Sequence, residues 1–207
     1  TTWYYGGEPE FANIKSYMLA GEFDQLITKE NFDPKDMNSK WGAHDHVVFN
    51  RLLHDLNVQK EPFFVNYFTL SSHEPFEVPI PNKFKGDDLP SKFRKAANYT
   101  DLSFGEFMAK AEKEKWYKNT LFVVVADHGH RLPKEYDNAY DYRKFRIPLF
   151  FYGEVIAFTE HINVISQPFL RNERKHFIYD QINVCLVIFL KFLRESMRSQ
   201  KSSFHSN

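Results

Sequence analysis

Two hundred and seven residues suffice for one domain with a sizeable core, and an apolar fraction of 43% excludes a disordered chain. Lys+Arg and Asp+Glu balance at 27 each, so the formal charge is zero and the basic footprint of a nucleic-acid binder is absent. A single cysteine, Cys185, excludes an internal disulfide framework and a cysteine zinc cage.

The chain opens on Thr1-Thr2-Trp3-Tyr4-Tyr5-Gly6-Gly7, with no basic n-region, no apolar run and no initiator Met. No signal peptide is expected there, and the chain reads as one that begins inside a longer protein. Residues 11–19 read as a short helix stopped by Gly21. Residues 33–36 read as a loop. Residues 44–56 read as a helix, because Phe49, Leu52, Leu53 and Leu56 fall at i, i+3, i+4 and i+7. Residues 62–70 are apolar and aromatic and read as a buried strand. Residues 75–90 carry four prolines and read as a loop.

A long helix is expected over 91–115, with Phe104, Phe107, Met108 and Ala111 as its inner stripe. The run 120–126, Thr-Leu-Phe-Val-Val-Val-Ala, does not alternate, which is the mark of a strand covered on both faces. Residues 132–146 read as a polar loop. Residues 147–152 read as a strand, placed at an edge or a strand start by Pro148. A further strand is expected at 163–166 and a helix over 178–198, followed by a basic, polar tail. The longest apolar run, near 184–190, is too short to span a bilayer. Strands alternating with helices predict an α/β fold, with a mostly parallel central sheet between layers of helices.

Ligands of open α/β sheets bind beyond the carboxyl ends of the strands. Two clusters fall there: Ser72-His73 after the strand 62–70, and Asp127-His128 after the strand 120–126. If the two strands are parallel, both clusters share one rim. An adjacent carboxylate and imidazole suit a divalent ion such as zinc or manganese, and Gly129 lets the backbone pass close by. A bare Asp-His-Gly equally suits a helix cap with a packed histidine. His73 reads either as a hydrogen-bonded loop residue or as a donor to a substrate oxyanion. His130 and Arg131 read either as solvated loop residues or as contacts for a phosphate or sulfate group. Asp45 at a helix start reads as a cap or dipole partner, and His44 and His46 as structural. No P-loop and no dinucleotide fingerprint is present, and Gly6-Gly7 is too short to indicate phosphate binding.

Six segments in order carry a resemblance: Tyr4-Tyr5-Gly6-Gly7 with Phe11-Ala12-Asn13; Lys40-Trp41-Gly42-Ala43-His44-Asp45; Thr69-Leu70-Ser71-Ser72-His73-Glu74-Pro75-Phe76; Tyr99-Thr100-Asp101; Trp116-Tyr117-Lys118-Asn119-Thr120; and Ala126-Asp127-His128-Gly129-His130. Together they resemble the lipoteichoic acid synthase-like branch of the sulfatase and alkaline phosphatase superfamily. The resemblance covers roughly residues 1–166, as the C-terminal part of a catalytic domain. It implies a three-layer αβα sandwich, incomplete at its N-terminus, with residues 167–207 as a divergent C-terminal helix and tail.

The resemblance also implies metal-dependent hydrolysis or transfer at a phosphate or sulfate ester, through a covalently loaded Thr, Ser or modified Cys. Asp127 and His128 match the family's metal pair, with Mn, Zn, Mg or Ca as the ion. His73 matches the histidine that contacts the transferred group. The family's nucleophile lies upstream of the Gly-Gly segment, so this chain alone is expected to be inactive. Ala12 and Ile14 stand where the glycerophosphate-transferring members carry Trp and Arg, which counts against phosphoglycerol transfer in particular. By the same resemblance the protein works at the cell envelope, on the extracytoplasmic face, held to the membrane only through an N-terminal anchor. The alternative is a truncated, non-catalytic fragment or pseudoenzyme. A two-metal phosphodiesterase-like relative ranks below both, because no good second ligand set is visible beyond His130.

Overall fold

The computed structural model describes residues 1–81, 84–133, 141–145 and 147–155, together with the backbone of residues 185–191. Six strands form one sheet: β1 (Thr2–Tyr5), β2 (Gln25–Ile27), β3 (Phe64–Phe68), β4 (Thr120–Ala126), β5 (Leu149–Tyr152) and β6 (Cys185–Lys191). The helices are α1 (Ile14–Ala20), α2 (Asp45–Val58) and α3 (Leu89–Ala111). The strand order is β2-β1-β3-β6-β4-β5. β1 is parallel to both β2 and β3, whereas β6 is antiparallel to β3 and to β4. β3 and β4 therefore point the same way, and with β1 and β2 they give four of the six strands one direction. β5 is antiparallel to β4 and lies at the sheet edge, where Pro148 at the strand start costs no ladder bond.

The period-two alternation of β1 sorts its residues onto two faces. Tyr4 joins Val65, Tyr67, Phe122 and Val124 against α2 and α3, whose Phe49, Leu52, Phe104 and Phe107 complete that layer. Trp3 and Tyr5 face the other way, with Leu70 and the partly buried Ile14 and Met18 of α1. Helices on both faces of the sheet make a three-layer αβα sandwich. Phe122, Leu52 and Tyr67 are completely buried, and an apolar side chain of that size contributes about 1.5–3 kcal/mol on full burial.

Several element boundaries differ from the sequence reading. The helix expected over 11–19 starts as a 3-10 turn, Phe11–Asn13, because Ala12 (φ 53°) and Asn13 (φ 59°) are left-handed and break the ladder before Ile14. Gly21 does end α1, but with φ −79°; the left-handed residue is Glu22. α3 begins earlier than 91, since the Asp88 carboxylate accepts from the Ser91 amide at 2.9 Å and Pro90 suits a first turn. It ends at Ala111, where 3-10 bonds from Lys113 and Glu114 tighten the chain. The short strands β1 and β2 had no counterpart in the sequence reading.

The helix expected over 178–198 is corrected by β6. Seven of those residues pair with β4 and five of the seven also with β3, and an unbroken apolar run satisfies either geometry until such partners are present. The strand expected at 163–166 lies outside the described residues.

Gly6 and Gly42 explain why β1 is followed by a Gly-Gly pair. The Ala43 amide donates to the Gly6 carbonyl at 2.9 Å, and a Cβ on Gly42 (φ 145°) would overlap that same carbonyl oxygen. This crossing of two backbones sets the start of α2 beside the exit of β1.

Candidate functional site

β3 and β4 leave the sheet at the same rim, so Ser72-His73 and Asp127-His128 emerge side by side, with β6 between the strands that carry them. The electrostatics record the proximity. Burial holds the His73 pKa below the ordinary histidine value; the Asp127 carboxylate opposes that shift and His128 adds to it.

The exit of β4 is held by short local bonds. The His128 amide donates to Asp127 Oδ1 at 2.9 Å. His128 Nδ1 lies 2.8 Å from the Gly129 carbonyl oxygen. A carbonyl can only accept, so Nδ1 is the donor; in the neutral ring this is the tautomer of a histidine that binds a metal through Nε2. Nε2 stands 3.6 Å from Asp127 Oδ2. Two ligands on one tetrahedral ion at 2.0–2.2 Å lie about 3.4 Å apart, so this spacing fits a shared divalent cation. Among the described residues no third His, Cys, Asp or Glu joins them.

A small apolar cluster underlies the rim and ties its loops together. Phe76, Phe93, Ala96 and Leu132 are buried against one another, joining the loop after β3, the start of α3 and the loop after β4. Phe76 has φ 61°, a strained setting for a bulky residue, and stays in it because its ring is locked edge-on to Phe93 at 5.5 Å. His130 stacks on Phe93 at 5.0 Å and its Nδ1 accepts from the Leu132 amide at 3.0 Å. Burial keeps its pKa below the ordinary value, which favours the uncharged ring with its proton on Nε2 at neutral pH. Arg131 beside it is exposed. Gly129 faces the backbone of Lys144 and Phe145, where a Cβ would overlap the Lys144 carbonyl oxygen.

The exit of β3 is held by long-range contacts. The Trp41 indole N–H donates to the Glu74 carbonyl at 2.5 Å, and its ring lies 6.3 Å from that of His73. Asp45, fully buried as the first residue of α2, accepts through Oδ1 from the Tyr67 hydroxyl (3.0 Å) and from the amides of Leu70 (2.8 Å) and Ser71 (3.1 Å). Its Oδ2 accepts from the Thr100 hydroxyl at 2.7 Å, and its own amide donates to Ser71 Oγ at 3.0 Å. Asp45 is thus a tie between elements as well as a residue at the helix start. His44 and His46 both meet the ring of Tyr99, at 5.7 and 6.0 Å between centroids, because His44 precedes the helix while His46 lies within it. The role of Trp41 and Asp45 escaped the sequence reading; the one available signal was a buried-type acid flanked by two histidines and preceded by Trp-Gly.

Ala12 and Ile14 do not bring polar groups to this rim. Ile14 packs into the apolar layer with Trp3, Tyr5 and Met18.

The sequence profile of the sulfatase family matches residues 1–168. Lipoteichoic acid synthase 2 of Bacillus subtilis (strain 168) is 25% identical over 171 residues, covering 72% of this chain and 26% of the relative. Phosphoglycerol transferase I of Xanthomonas axonopodis pv. citri (strain 306) is 26% identical over 167 residues, covering 74% of this chain and 24% of the relative. Among solved structures, an alkaline phosphatase superfamily protein from Vibrio parahaemolyticus superposes with a TM-score of 0.65 at 29% identity, over 75% of this chain and 38% of that one. A lipoteichoic acid synthase from Listeria monocytogenes superposes at 0.59 with 23% identity, over 75% of this chain and 43% of that one, which bears on the fold alone. The chain thus spans about a quarter of the length of the curated relatives it matches.

Proposed function

The chain belongs to the sulfatase family, in its lipoteichoic acid synthase-like branch, and from that premise we propose that it supplies part of a metal-dependent active site for phosphoryl-type transfer or hydrolysis at a phosphate or sulfate ester. The observation that carries this reading is the spacing of Asp127 and His128, 3.6 Å apart at the exit of β4 and facing His73 across one rim. Asp127 and His128 would hold the ion, which when bound neutralises ester oxygens and lowers the pKa of an attacking hydroxyl. His73 would contact the transferred group, and His130 and Arg131 would add an N–H donor and a positive charge at the outer side. The nucleophile lies on a segment outside these 207 residues, so residues 1–166 form the C-terminal part of the catalytic domain.

The relatives' names favour a phosphoglycerol group as cargo, whereas Ala12 and the apolar packing of Ile14 weigh against it. Among the described residues no helix is long and apolar enough to cross a membrane. Action at the extracytoplasmic face of the cell envelope therefore draws support only from the kinship with envelope-polymer synthases.

Manganese binding to the full chain, followed by loss of the free-ion EPR signal, tests the reading. Asp127→Ala and His128→Ala are each expected to weaken it at least about tenfold. Equal binding by the variants would remove the metal pair. Chromogenic phosphate and sulfate esters should not turn over with the chain alone; turnover lost in Asp127→Ala would show that the nucleophile is within it.

A second reading, a non-catalytic fragment or pseudoenzyme, draws on the two-membered ligand set among the described residues. The coding sequence upstream of Thr1 separates the two. A Thr, Ser or Cys at a strand-to-helix turn supports the enzyme, and its absence supports the fragment.

A further inference from the structure

We propose that Asp45 is a positioning residue for His73, acting through the backbone of the turn that follows β3. The inference rests on the reading of His73 as a contact for the transferred group.

The path is a short chain of hydrogen bonds. Asp45 Oδ1 accepts from the amides of Leu70 and Ser71, at 2.8 and 3.1 Å. The Leu70 carbonyl accepts in turn from the His73 amide at 3.1 Å, and the His73 carbonyl from the Phe76 amide at 2.8 Å. The carboxylate is itself fixed from three elements. Tyr67 of β3 and Thr100 of α3 donate to it, and it is the first residue of α2, whose backbone amide reaches Ser71 Oγ. The whole assembly is buried: Asp45, Tyr67, Leu70, Ser71 and Thr100 are each at most 6% exposed. Four donors converge on the carboxylate, and none of them can turn to water if it is removed. An acid whose only task was to offset the dipole of α2 would need neither the depth nor the bonds to the β3 turn.

The test uses the full 207-residue chain with saturating Mn2+ and two readouts: equilibrium dialysis of inorganic phosphate, and hydrogen exchange at the His73 amide. Asp45→Ala is expected to speed exchange at His73 and to weaken phosphate binding about tenfold, as much as His73→Ala does. In the His73→Ala background it should weaken binding no further. Asp45→Asn keeps an acceptor toward Leu70 and Ser71, so it should restore both readouts. Thr100→Val frees only Oδ2 and is expected to fold even if Asp45→Ala does not; its loss, about threefold, should also vanish without His73.

A loss that persists in the His73→Ala background, or none from Thr100→Val and Asp45→Ala while His73→Ala binds weakly, would overturn the positioning role. If His73→Ala binds phosphate like the wild type, the reading of His73 falls and the positioning role falls with it. Faster exchange at His73 in the Asp45 variants would then report the clamp alone.

Discussion

The two strand exits that meet at the rim are built on opposite plans. After β3 the chain is buried, and the amides of Leu70 and Ser71 are satisfied by Asp45, 25 and 26 positions away. After β4 Asp127 and His128 are exposed, and the hydrogen bonds that shape the turn are local: His128 to Asp127, His128 to Gly129, Leu132 to His130. The first plan fixes a histidine before any ligand arrives. The second leaves a carboxylate oxygen and an imidazole nitrogen exposed and 3.6 Å apart. A site that must place an anion against a cation gains from one rigid bank and one bank that still has bonds to make.

Four experiments press on that contrast. The largest effect is expected from Asp45→Ala, which strands the Tyr67 and Thr100 hydroxyls and two backbone amides; urea unfolding should report a loss of about 3 kcal/mol or more. A loss below about 1 kcal/mol would mean the β3 exit is no more rigid than its neighbour. Gly129→Ala should cost about 1–3 kcal/mol in the same assay, because the new methyl must displace the backbone at Lys144.

Acid should act on buried histidines of both banks, since burial lowers His130 as it lowers His44 and His73. Burial holds the His44 and His73 pKa values below the unfolded value of 6.5, and only partly opposed there by Asp45 and Asp127. Between the folded and unfolded values the unfolded chain binds more protons, so stability is complete above about pH 6.5 and falls as the pH drops through the folded values, by up to about 1.4 kcal/mol per pH unit for each group. His44→Asn should flatten that slope, as read from urea midpoints between pH 7 and 5. The smallest effect on stability is expected from Asp127→Ala, whose urea midpoint should match the wild type even as manganese binding is lost. A large shift there would show that the β4 exit is structural after all.

Legibility in the sequence followed the same divide. β4 could be read to its ends because Thr120–Ala126 is an uninterrupted apolar run bounded by polar residues. Asp127 and His128 followed from their place after it. The covering helices were visible in the spacing of Phe49, Leu52 and Leu56 and of Phe104, Phe107 and Ala111. β1 and β2 were not, since four and three residues are too few to show a period, and their pairing is long-range. Asp45 is legible only as the acid at the start of α2, for the same reason. At the start of a helix a cap is the local explanation, and nothing in the neighbouring residues reveals that Leu70, Ser71 and Thr100 fold back onto it. The apolar run of β6 reads as helix because it has no intrinsic geometry apart from its partners on either side.

One strand's insertion sets a dimension. With β6 between them, β3 and β4 stand two inter-strand spacings apart, about 9.5 Å at ordinary sheet geometry. The sheet acts as a ruler laid under the rim: the separation of the backbones that carry His73 and Asp127-His128 is set by strand pairing rather than by any side chain of the rim.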